Sequence, residues 1–489
     1  MAGVSGFQVH FGSHRELNPG DYCDVLVAMN PAALKANRKW LKPGATVIID
    51  GDSITEDHLK KACFATLDPI AELKLDEYNV VIPGITTMTR DALRETGLDN
   101  KSVTKCKNMF ALGICFYLFD RPEAYAFKYI ETKFAKKNPA IAEANKLAIQ
   151  AGYNYAANTH QFANTYTVAP APLEKGTYRS ISGNVATAWG LCAAAEKAGL
   201  PLFCGSYPIT PATVILEELA KRKDLGVKTV QAEDEIAGIC TAIGAAFAGN
   251  FAVTTTSGPG LSLKSEALGL AVMTELPLVV VDVQRGGPST GLPTKTEQSD
   301  LAQALYGRNG ECPVIVVAAS SPSDCFHYAF EAGRLAMEHM TPVILLTDGF
   351  IANGSEPWRI PAMKDYPAIT PPIVDEAPEG GFMPYVRNEN LARGWAFPGK
   401  TGLEHRVGGL EKDCVKGCIS HDPSNHQKMV RTRAEKVAKA VDDIPAQAVW
   451  GAPEGDLLVV GWGGTRGHLQ NAVDQMRAEG KRVSLCHFN

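Results

Sequence analysis

The chain has 489 residues, of which 45% are hydrophobic and 21% are charged, as in ordinary globular proteins. Its length predicts roughly three domains, because a single core stops growing well below this size. A net charge of −5 and a pI near 6.2 argue against a nucleic-acid-binding protein, since no basic excess exists to displace counterions. No apolar run is long enough to span a bilayer, and the N-terminus shows no secretory signal. We therefore expect a cytoplasmic protein.

The twelve cysteines contain no C-x-x-C pair. Several lie within apolar stretches, where we expect buried, reduced thiols. These are Cys23, Cys115, Cys192 and Cys240. Cys414 and Cys418 lie near three histidines, but the three residues between them fall outside the tight turns typical of iron–sulfur loops. We expect no metal site in this chain.

The first 160 residues show an α/β pattern. Residues 23–30 predict a buried strand, 31–41 a helix and 45–50 a second strand, and glycines punctuate the segment. Helical periodicity follows around 101–119 and 138–156. From about residue 157 periodicity gives way to Pro, Thr and Asn, which predicts a linker over 161–180.

A second α/β region follows the linker. Apolar runs predict strands at 201–204, 251–256, 277–283, 313–319 and 342–347. Helices are predicted between and before them at 184–198, 211–222, 233–248 and 322–339. Near-continuous apolar strands with covering helices are typical of a doubly wound parallel sheet, whose ligands bind beyond the carboxyl ends of the strands.

The last part of the chain is less regular. Residues 361–445 are rich in Pro and Gly, and include a predicted helix over 427–443 whose basic residues we interpret as a solvated face. Those residues are Lys428, Arg431, Arg433, Lys436 and Lys439. Residues 446–489 then predict a strand, a helix and a further strand in which the chain stops, so we expect an incomplete domain there.

Two loops after predicted strands carry candidate functional residues. The loop Tyr207-Pro208-Ile209-Thr210-Pro211 opens a helix and could hold a small carboxylate, or could serve only as a helix cap. Glu233, Asp234 and Glu235 stand in the first turn of another helix. The helix dipole accounts for one or two of these carboxylates, and an apolar remainder that includes Ile236 suggests that one of them is half-buried at a ligand.

Two further loops complete the set. Residues 254–260 (TTTSGPG) combine small hydroxyl residues with glycines that let a ligand approach the backbone. Residues 284–291 (QRGGPSTG) place Arg285, and then Lys295, after the next strand, and an arginine offers a bidentate fork for a carboxylate. These four polar loops could line one pocket.

The ordered motifs YPITP (207–211), QAEDE (231–235), TSGPG (256–260) and QRGGPSTGLPTKTEQ (284–298) carry a resemblance. They resemble the α subunits of 2-oxoacid:ferredoxin oxidoreductases, especially those that act on 2-oxoglutarate. The similarity continues in TDGFIANGSEPWRIP (347–361), TGLEH (401–405) and VVGWGGTRG (459–467).

The resemblance implies a domain order. Residues 1–160 resemble the family's γ-type domain, without its first strand and glycine-rich loop, and 161–180 form a linker. Residues 181–360 correspond to a pyrimidine-type domain that binds thiamine diphosphate, and 361–445 form an irregular connection. Residues 446–489 resemble the start of a transketolase C-terminal-like domain. The chain is thus expected to be truncated at both ends.

The resemblance also implies roles for residues. A glutamate that bonds the aminopyrimidine ring is expected at Glu235, with Glu233 as second choice. Cofactor contacts are expected from Pro208, Ile209, Thr256, Ser257, Gly258 and Pro259. The substrate carboxylate is expected to be held by Tyr207, Thr210 and Arg285, with Lys295 as a competitor of Arg285.

Partners follow from the same resemblance. The sequence has no Gly-Asp-Gly metal loop and no cysteine framework for a cluster. A β subunit is therefore expected to carry Mg²⁺ and an iron–sulfur (4Fe-4S) cluster, in an (αβ)2 assembly that uses coenzyme A and ferredoxin to convert 2-oxoglutarate into succinyl-CoA and CO2. Pyruvate, branched-chain oxoacids and indolepyruvate remain alternative substrates, and a non-catalytic scaffolding subunit or a self-sufficient transketolase-like enzyme are the rival interpretations.

Overall fold

The computed structural model describes residues 4–489. The chain divides into two compact units, with the boundary between Glu174 and Lys175, inside the segment 161–180. Within the described residues no helix has the length and apolar character needed to cross a membrane.

The first unit is built on a three-stranded parallel sheet in the order β1-β2-β3. Its strands are β1 (Cys23–Ala28), β2 (Leu41–Ile49) and β3 (Asn79–Val81). Its helices are α1 (Pro31–Asn37), α2 (Glu56–Lys61), α3 (Pro69–Glu72), α4 (Ile85–Ala92), α5 (Asn100–Lys105), α6 (Lys107–Leu118), α7 (Ala124–Ile130) and α8 (Pro139–Thr159). Asn30 caps α1 by accepting a hydrogen bond from the Ala33 amide, and Pro31 at the first helical position suits that start.

Helices α6 and α8 pack unusually closely. A Cβ atom at Gly113 would collide with the Ile149 carbonyl oxygen, and one at Gly152 would collide with the Phe110 carbonyl oxygen. Glycine at these two positions therefore allows the two backbones to touch.

The second unit contains a six-stranded parallel sheet in the order β6-β5-β7-β8-β10-β9. Its strands are β5 (Leu202–Ser206), β6 (Lys228–Gln231), β7 (Phe251–Thr256), β8 (Leu278–Gln284), β9 (Ile315–Ala318) and β10 (Pro342–Asp348). The central strands β7, β8 and β10 are buried on both faces, which explains their continuous apolar sequence.

Helices cover both faces of this sheet. Val279, Val281 and their neighbours pack on one face against α9 (Gly183–Ala198), α10 (Thr213–Ala220) and α15 (Asp324–His339). Leu278 and Val280 pack on the other against α11 (Glu235–Phe247), α12 (Gly258–Leu263), α13 (Ser265–Thr274) and α14 (Leu301–Tyr306). The doubly wound architecture predicted from the sequence is confirmed.

Smaller elements complete the second unit. Two antiparallel strands, β4 (Tyr178–Ser182) and β11 (Ser355–Arg359), pair beside the short α16 (Gly349–Asn353). The irregular segment holds β12 (Ile373–Val374), β13 (Trp395–Ala396) and α17 (Pro423–Lys439). The C-terminal part forms a mixed sheet, β14-β16-β15, from β14 (Val449–Trp450), β15 (Leu457–Trp462) and β16 (Val483–Phe488), with α18 (Arg466–Ala478).

Three expectations about burial were wrong. Cys23, at the start of β1, is only partly buried. Cys240 is exposed, and Cys115 and Cys192 are only partly buried, because an apolar helix still presents one side to the surface. Ile236 is 51% exposed for the same reason. On α17, Lys428 and Arg431 are exposed, but two other basic residues of the expected solvated face, Arg433 and Lys436, are buried.

Lys436 is buried because it pairs with a buried carboxylate, that of Glu275. Glu275, at the end of α13, accepts hydrogen bonds from both terminal nitrogens of Arg387, at 2.7 and 2.6 Å, and from the Lys436 ammonium. Arg393 binds the carbonyl oxygens of Thr274 and Glu275, each at 3.1 Å. One acid thus fastens both the irregular segment and α17 to the sheet domain.

The charge balance of this cluster is decisive for stability. Burial alone would raise the pKa of Glu275, but Lys436 and Arg387 outweigh it and hold that pKa well below its ordinary value of 4.5. The stabilisation is therefore present above pH 4.5 and is lost as the pH falls towards the folded-state pKa.

We predict that Glu275→Gln lowers the free energy of unfolding by about 3–5 kcal/mol, because it leaves buried cations without their counter-charge. Denaturant unfolding at pH 7 measures the effect, and the exposed Glu435→Gln on the same α17 helix is the control. Equal midpoints for the two variants would show that the cluster does not stabilise the fold.

Candidate active site

The four polar loops singled out in the sequence lie at the carboxyl end of one parallel sheet. They follow β5, β6, β7 and β8, which are consecutive neighbours within the sheet order β6-β5-β7-β8. Parallel strands end at a common edge, so the loops are neighbours in space as well.

Glu235 is set apart from its acidic neighbours by the start of α11. Asp234 is the N-cap, and its carboxylate accepts the Ala237 amide at 2.8 Å, while Glu233 is exposed before the helix begins. Capping therefore accounts for Asp234. Glu235, at the first helical position, is half-buried and is free of that task.

A small polar cluster surrounds the Glu235 side chain. The buried Tyr207 hydroxyl lies 3.0 Å from the Thr256 hydroxyl and within hydrogen-bonding reach of the Glu235 carboxylate. Burial, reinforced by that neighbouring anion, raises the pKa of Tyr207. At Gly260 an added Cβ would meet Thr256, the Tyr207 hydroxyl and the Cγ of Glu235. Glycine at position 260 therefore lets these side chains pack directly against the backbone.

Lys264 is a buried cation that contacts the backbone and side chains of this cluster. Its ammonium donates to the backbone carbonyl of Glu235 at 2.6 Å and to the Thr254 hydroxyl at 3.2 Å, and it lies 5.0 Å from the centre of the Tyr207 ring. Burial lowers the pKa of Lys264 to about 8, against the partial opposition of Glu235. A buried cation here fixes the first turn of α11 relative to β7.

Thr210 and Arg285 are brought together beside this cluster. Arg285 is 7% exposed and donates to the Thr210 carbonyl at 2.7 Å and to the Thr290 carbonyl at 3.0 Å. Its Nε is buried and has no acceptor among the described residues. Two of the three guanidinium nitrogens thus shape the loops, which leaves Nε as the donor in need of an acceptor.

Lys295 lies further out than Arg285. It is exposed and lines a cavity of about 220 Å³ together with Thr210, Thr213 and Asn353. Of two predicted cofactor contacts on the loop that leads to Thr210, Pro208 is exposed and Ile209 is half-buried. The structure therefore places Tyr207, Glu235 and Thr256 in one cluster, with Thr210 and Arg285 in an adjoining one.

Three predicted cofactor residues surround the start of α12. Ser257 and Gly258 are buried, and Pro259 occupies the first turn of the helix. The Ser257 hydroxyl is buried and finds no hydrogen-bond partner in the part of the chain that the structure describes. An unsatisfied buried hydroxyl beside glycines is able to serve a bound ligand.

Sequence reasoning missed Lys264 and two buried acids, Asp282 and Asp300. Asp282 interrupts the apolar strand LVVVDVQ, and Lys264 interrupts an apolar helical stretch. A charged residue at a core position was the available signal, since such residues are almost never buried without a partner.

We predict that Gly260→Ala destabilises the second unit by about 1–3 kcal/mol, because the added methyl group overpacks Thr256 and Tyr207. Gly244→Ala on α11 is the matched control, since nothing lies within 4 Å of its added Cβ. Thermal unfolding compares the two, and equal melting temperatures would contradict the tight packing described for Gly260.

We predict that the free energy of unfolding of the wild type, minus that of Lys264→Met, increases between pH 8 and pH 10.5. In this window the unfolded chain binds a proton that the folded chain has released, so wild-type stability rises with pH by up to about 3 kcal/mol, whereas methionine does not titrate. Denaturant unfolding at pH 7 and pH 10 measures the difference. Lys428→Met, at an exposed position, is the reference, and a difference that shrinks with pH would refute the assignment.

Comparisons with known proteins agree with this geometry. A family model described as pyruvate flavodoxin/ferredoxin oxidoreductase, thiamine diphosphate-binding, matches residues 194–419, and one described as pyruvate ferredoxin/flavodoxin oxidoreductase matches residues 1–155. The first match contains the cluster around Glu235.

Several individual relatives are named for 2-oxoglutarate. The 2-oxoglutarate oxidoreductase subunit KorA of Mycobacterium tuberculosis is 51% identical over the whole chain and 74% of its own length. The 2-oxoglutarate synthase subunit KorA of Methanothermobacter marburgensis is 37% identical, over 63% of this chain and 80% of its own. A solved 2-oxoglutarate:ferredoxin oxidoreductase from Magnetococcus marinus, with 2-oxoglutarate, coenzyme A and succinyl-CoA bound, aligns with a TM-score of 0.84 at 33% identity, covering 97% of this chain and 78% of that one. The chain belongs to the 2-oxoacid:ferredoxin oxidoreductase family.

Proposed function

We propose that this chain is the α subunit of a 2-oxoglutarate:ferredoxin oxidoreductase, which forms succinyl-CoA and CO2 from 2-oxoglutarate and coenzyme A. The observation that carries the proposal is the half-buried Glu235 carboxylate, which lies within hydrogen-bonding reach of the Tyr207 hydroxyl, where Gly260 lets both side chains approach the backbone closely. Relatives named for 2-oxoglutarate supply the choice of substrate.

The residues at the site fit one half of thiamine diphosphate. A half-buried carboxylate at Glu235 suits a ring nitrogen, and the stretch Ser257-Gly258-Pro259-Gly260 offers a nearly side-chain-free surface with an unsatisfied hydroxyl. When bound, this cofactor supplies a carbanion that adds to the keto carbon and stabilises the charge left by loss of CO2.

Glu235 holds a proton at the aminopyrimidine ring in this proposal. Lys264 fixes the backbone of Glu235, and Asp234 caps the same helix, so the carboxylate is positioned before any ligand arrives. Such preorganisation is the main contribution that a protein makes at a cofactor site. Glu233, which is exposed, is the second candidate for this role.

Thr210 and Arg285 hold the carboxylate next to the keto group, together with Tyr207. Arg285 has one guanidinium nitrogen, Nε, that is buried without an acceptor, and Thr210 is exposed beside it. A carboxylate oxygen at that nitrogen would satisfy it. Lys295 lies at the adjoining cavity and competes with Arg285 for this contact.

The remaining functions are assigned to a β subunit. Neither a Gly-Asp-Gly loop nor a cysteine framework occurs in the sequence of this chain, so the diphosphate-bound Mg²⁺ and a 4Fe-4S cluster are proposed on the partner, with (αβ)2 as the assembly and ferredoxin as electron acceptor. The site is then completed only when the two chains meet.

We predict that Glu235→Gln in the complex of this chain with its β subunit lowers 2-oxoglutarate-dependent ferredoxin reduction by about 100-fold or more, the usual contribution of a positioned acid–base group. Glu266→Gln, an exposed change on α13, is the control. A larger loss in Glu233→Gln than in Glu235→Gln would move the role to Glu233.

The same assay tests the substrate. With coenzyme A present, 2-oxoglutarate is expected to give a higher kcat/KM than pyruvate, branched-chain oxoacids or indolepyruvate. Preference for one of these would overturn the substrate assignment, and unchanged activity in Glu235→Gln would favour a scaffolding role for this chain.

A further inference from the structure

Asp282 is a carboxyl group buried in the middle of the parallel sheet. It lies on β8 in register with Thr256 of β7 and Leu346 of β10, and it is completely buried. Neither of its carboxyl oxygens receives a hydrogen bond from any donor in the described part of the chain. A buried, unsatisfied carboxyl group is costly unless something else is bound to it.

The group that faces Asp282 is a second carboxyl. Asp300 lies within hydrogen-bonding distance of Asp282, is 9% exposed, and has one oxygen without a donor. Its backbone amide donates to the Gln284 side chain at 3.0 Å. Asp300 is therefore bound twice to the strand from which residues 285–299 depart.

These contacts close the base of an exposed loop, defined here as the 285–300 loop. The loop carries Arg285 and Lys295, and its outer residues 287–297 are exposed. It is bonded internally, as in the contact from the Gly287 amide to Glu297 at 2.7 Å. Its return to the sheet depends on residue 300.

The same pair also touches the start of α12. A Cβ atom at Gly258 would lie 2.5 and 2.7 Å from the two carboxyl oxygens of Asp300. Asp300 thus packs directly against the Ser257–Gly260 stretch that borders Glu235. The acids connect the two loops that carry candidate cofactor and substrate contacts.

Within residues 4–489 no cation is paired with either of these two acids. Burial raises the pKa of both Asp282 and Asp300, and the other charged group that acts on the pair is the anionic Glu297. Two adjacent carboxylates in such surroundings cannot both be ionised, whereas one proton between them forms a strong hydrogen bond.

We propose that Asp282 and Asp300 share one proton and act as a positioning pair that fastens the base of the 285–300 loop and the Ser257–Gly260 stretch in their binding geometry. Neither residue touches the substrate. The pair acts through Arg285 on one side and through Gly258 on the other.

The consequence for activity rests on the proposed function, but the consequence for the loop does not. Replacement of one acid by Asn keeps a hydrogen bond across the pair, because the amide donates to the remaining carboxylate without a shared proton. Replacement by Ala leaves the other acid buried alone. The loop should therefore stay closed with Asn and open with Ala.

The test uses the complex of this chain with its β subunit. Hydrogen exchange followed by mass spectrometry gives the protection of residues 286–299 in wild type and in Asp300→Asn, Asp300→Ala, Asp282→Asn and Asp50→Asn. Asp50→Asn, a buried acid of the first unit that is satisfied by Thr86, is the control. We expect Asp300→Ala to lose about tenfold in protection and in apparent affinity for thiamine diphosphate, and Asp300→Asn to retain both.

A second comparison tests the shared proton itself. As the pH rises through the raised pKa of the pair, the wild-type loop should lose protection, relative to intrinsic exchange, while Asp282→Asn and Asp300→Asn should hold it. Equal protection in wild type, Asp300→Asn and Asp300→Ala would overturn the proposal, as would identical pH dependence in wild type and Asp282→Asn. A complex that protects its loop as expected but oxidises no 2-oxoacid would refute the proposed function and leave the pair supported.

Discussion

The structure depends on the parallel alignment of six strands in the second unit. Because all six run in the same direction, every strand delivers its following loop to the same edge, and the edge becomes the place where unrelated segments meet. Tyr207, Glu235 and Thr256 come from three different strand–loop connections and form one cluster for this reason. The helices on both faces bury the strands so fully that polar groups within them must find partners inside the sheet domain.

Polar residues at this edge fall into two layers. In an outer layer, Thr210 and Lys295 line the cavity, and the buried Arg285 holds the Thr210 carbonyl from behind. An inner layer, formed by Lys264 with Asp282 and Asp300, has little or no access to solvent. The inner residues fix the backbone on which the outer residues stand. The geometry of the site at this sheet edge therefore depends on buried residues that lie outside the sequence motifs.

Much of this could be predicted from sequence, for identifiable reasons. Continuous apolar runs predicted β7, β8 and β10. The strand β6 (Lys228–Gln231) was not predicted, because an edge strand with exposed residues lacks such a run. Asp234 and Glu235 could not be separated by composition, since the helix start that makes one a cap and leaves the other free is fixed to within one residue only by the fold. Arg433 and Lys436 looked like solvated residues because their acidic partners, Glu411 and Glu275, are far away in sequence.

The Glu275 cluster has a consequence for how this unit can change. One acid serves Arg387 in the irregular segment and Lys436 on α17, so the two attachments are not independent. The parts of the segment 361–445 that carry Arg387 and Lys436 are therefore expected to tolerate exchange only together. If this segment were grafted onto another sheet domain, that domain would need a glutamate at the end of a helix equivalent to α13. Without it, Arg387 and Lys436 would be buried without a counter-charge.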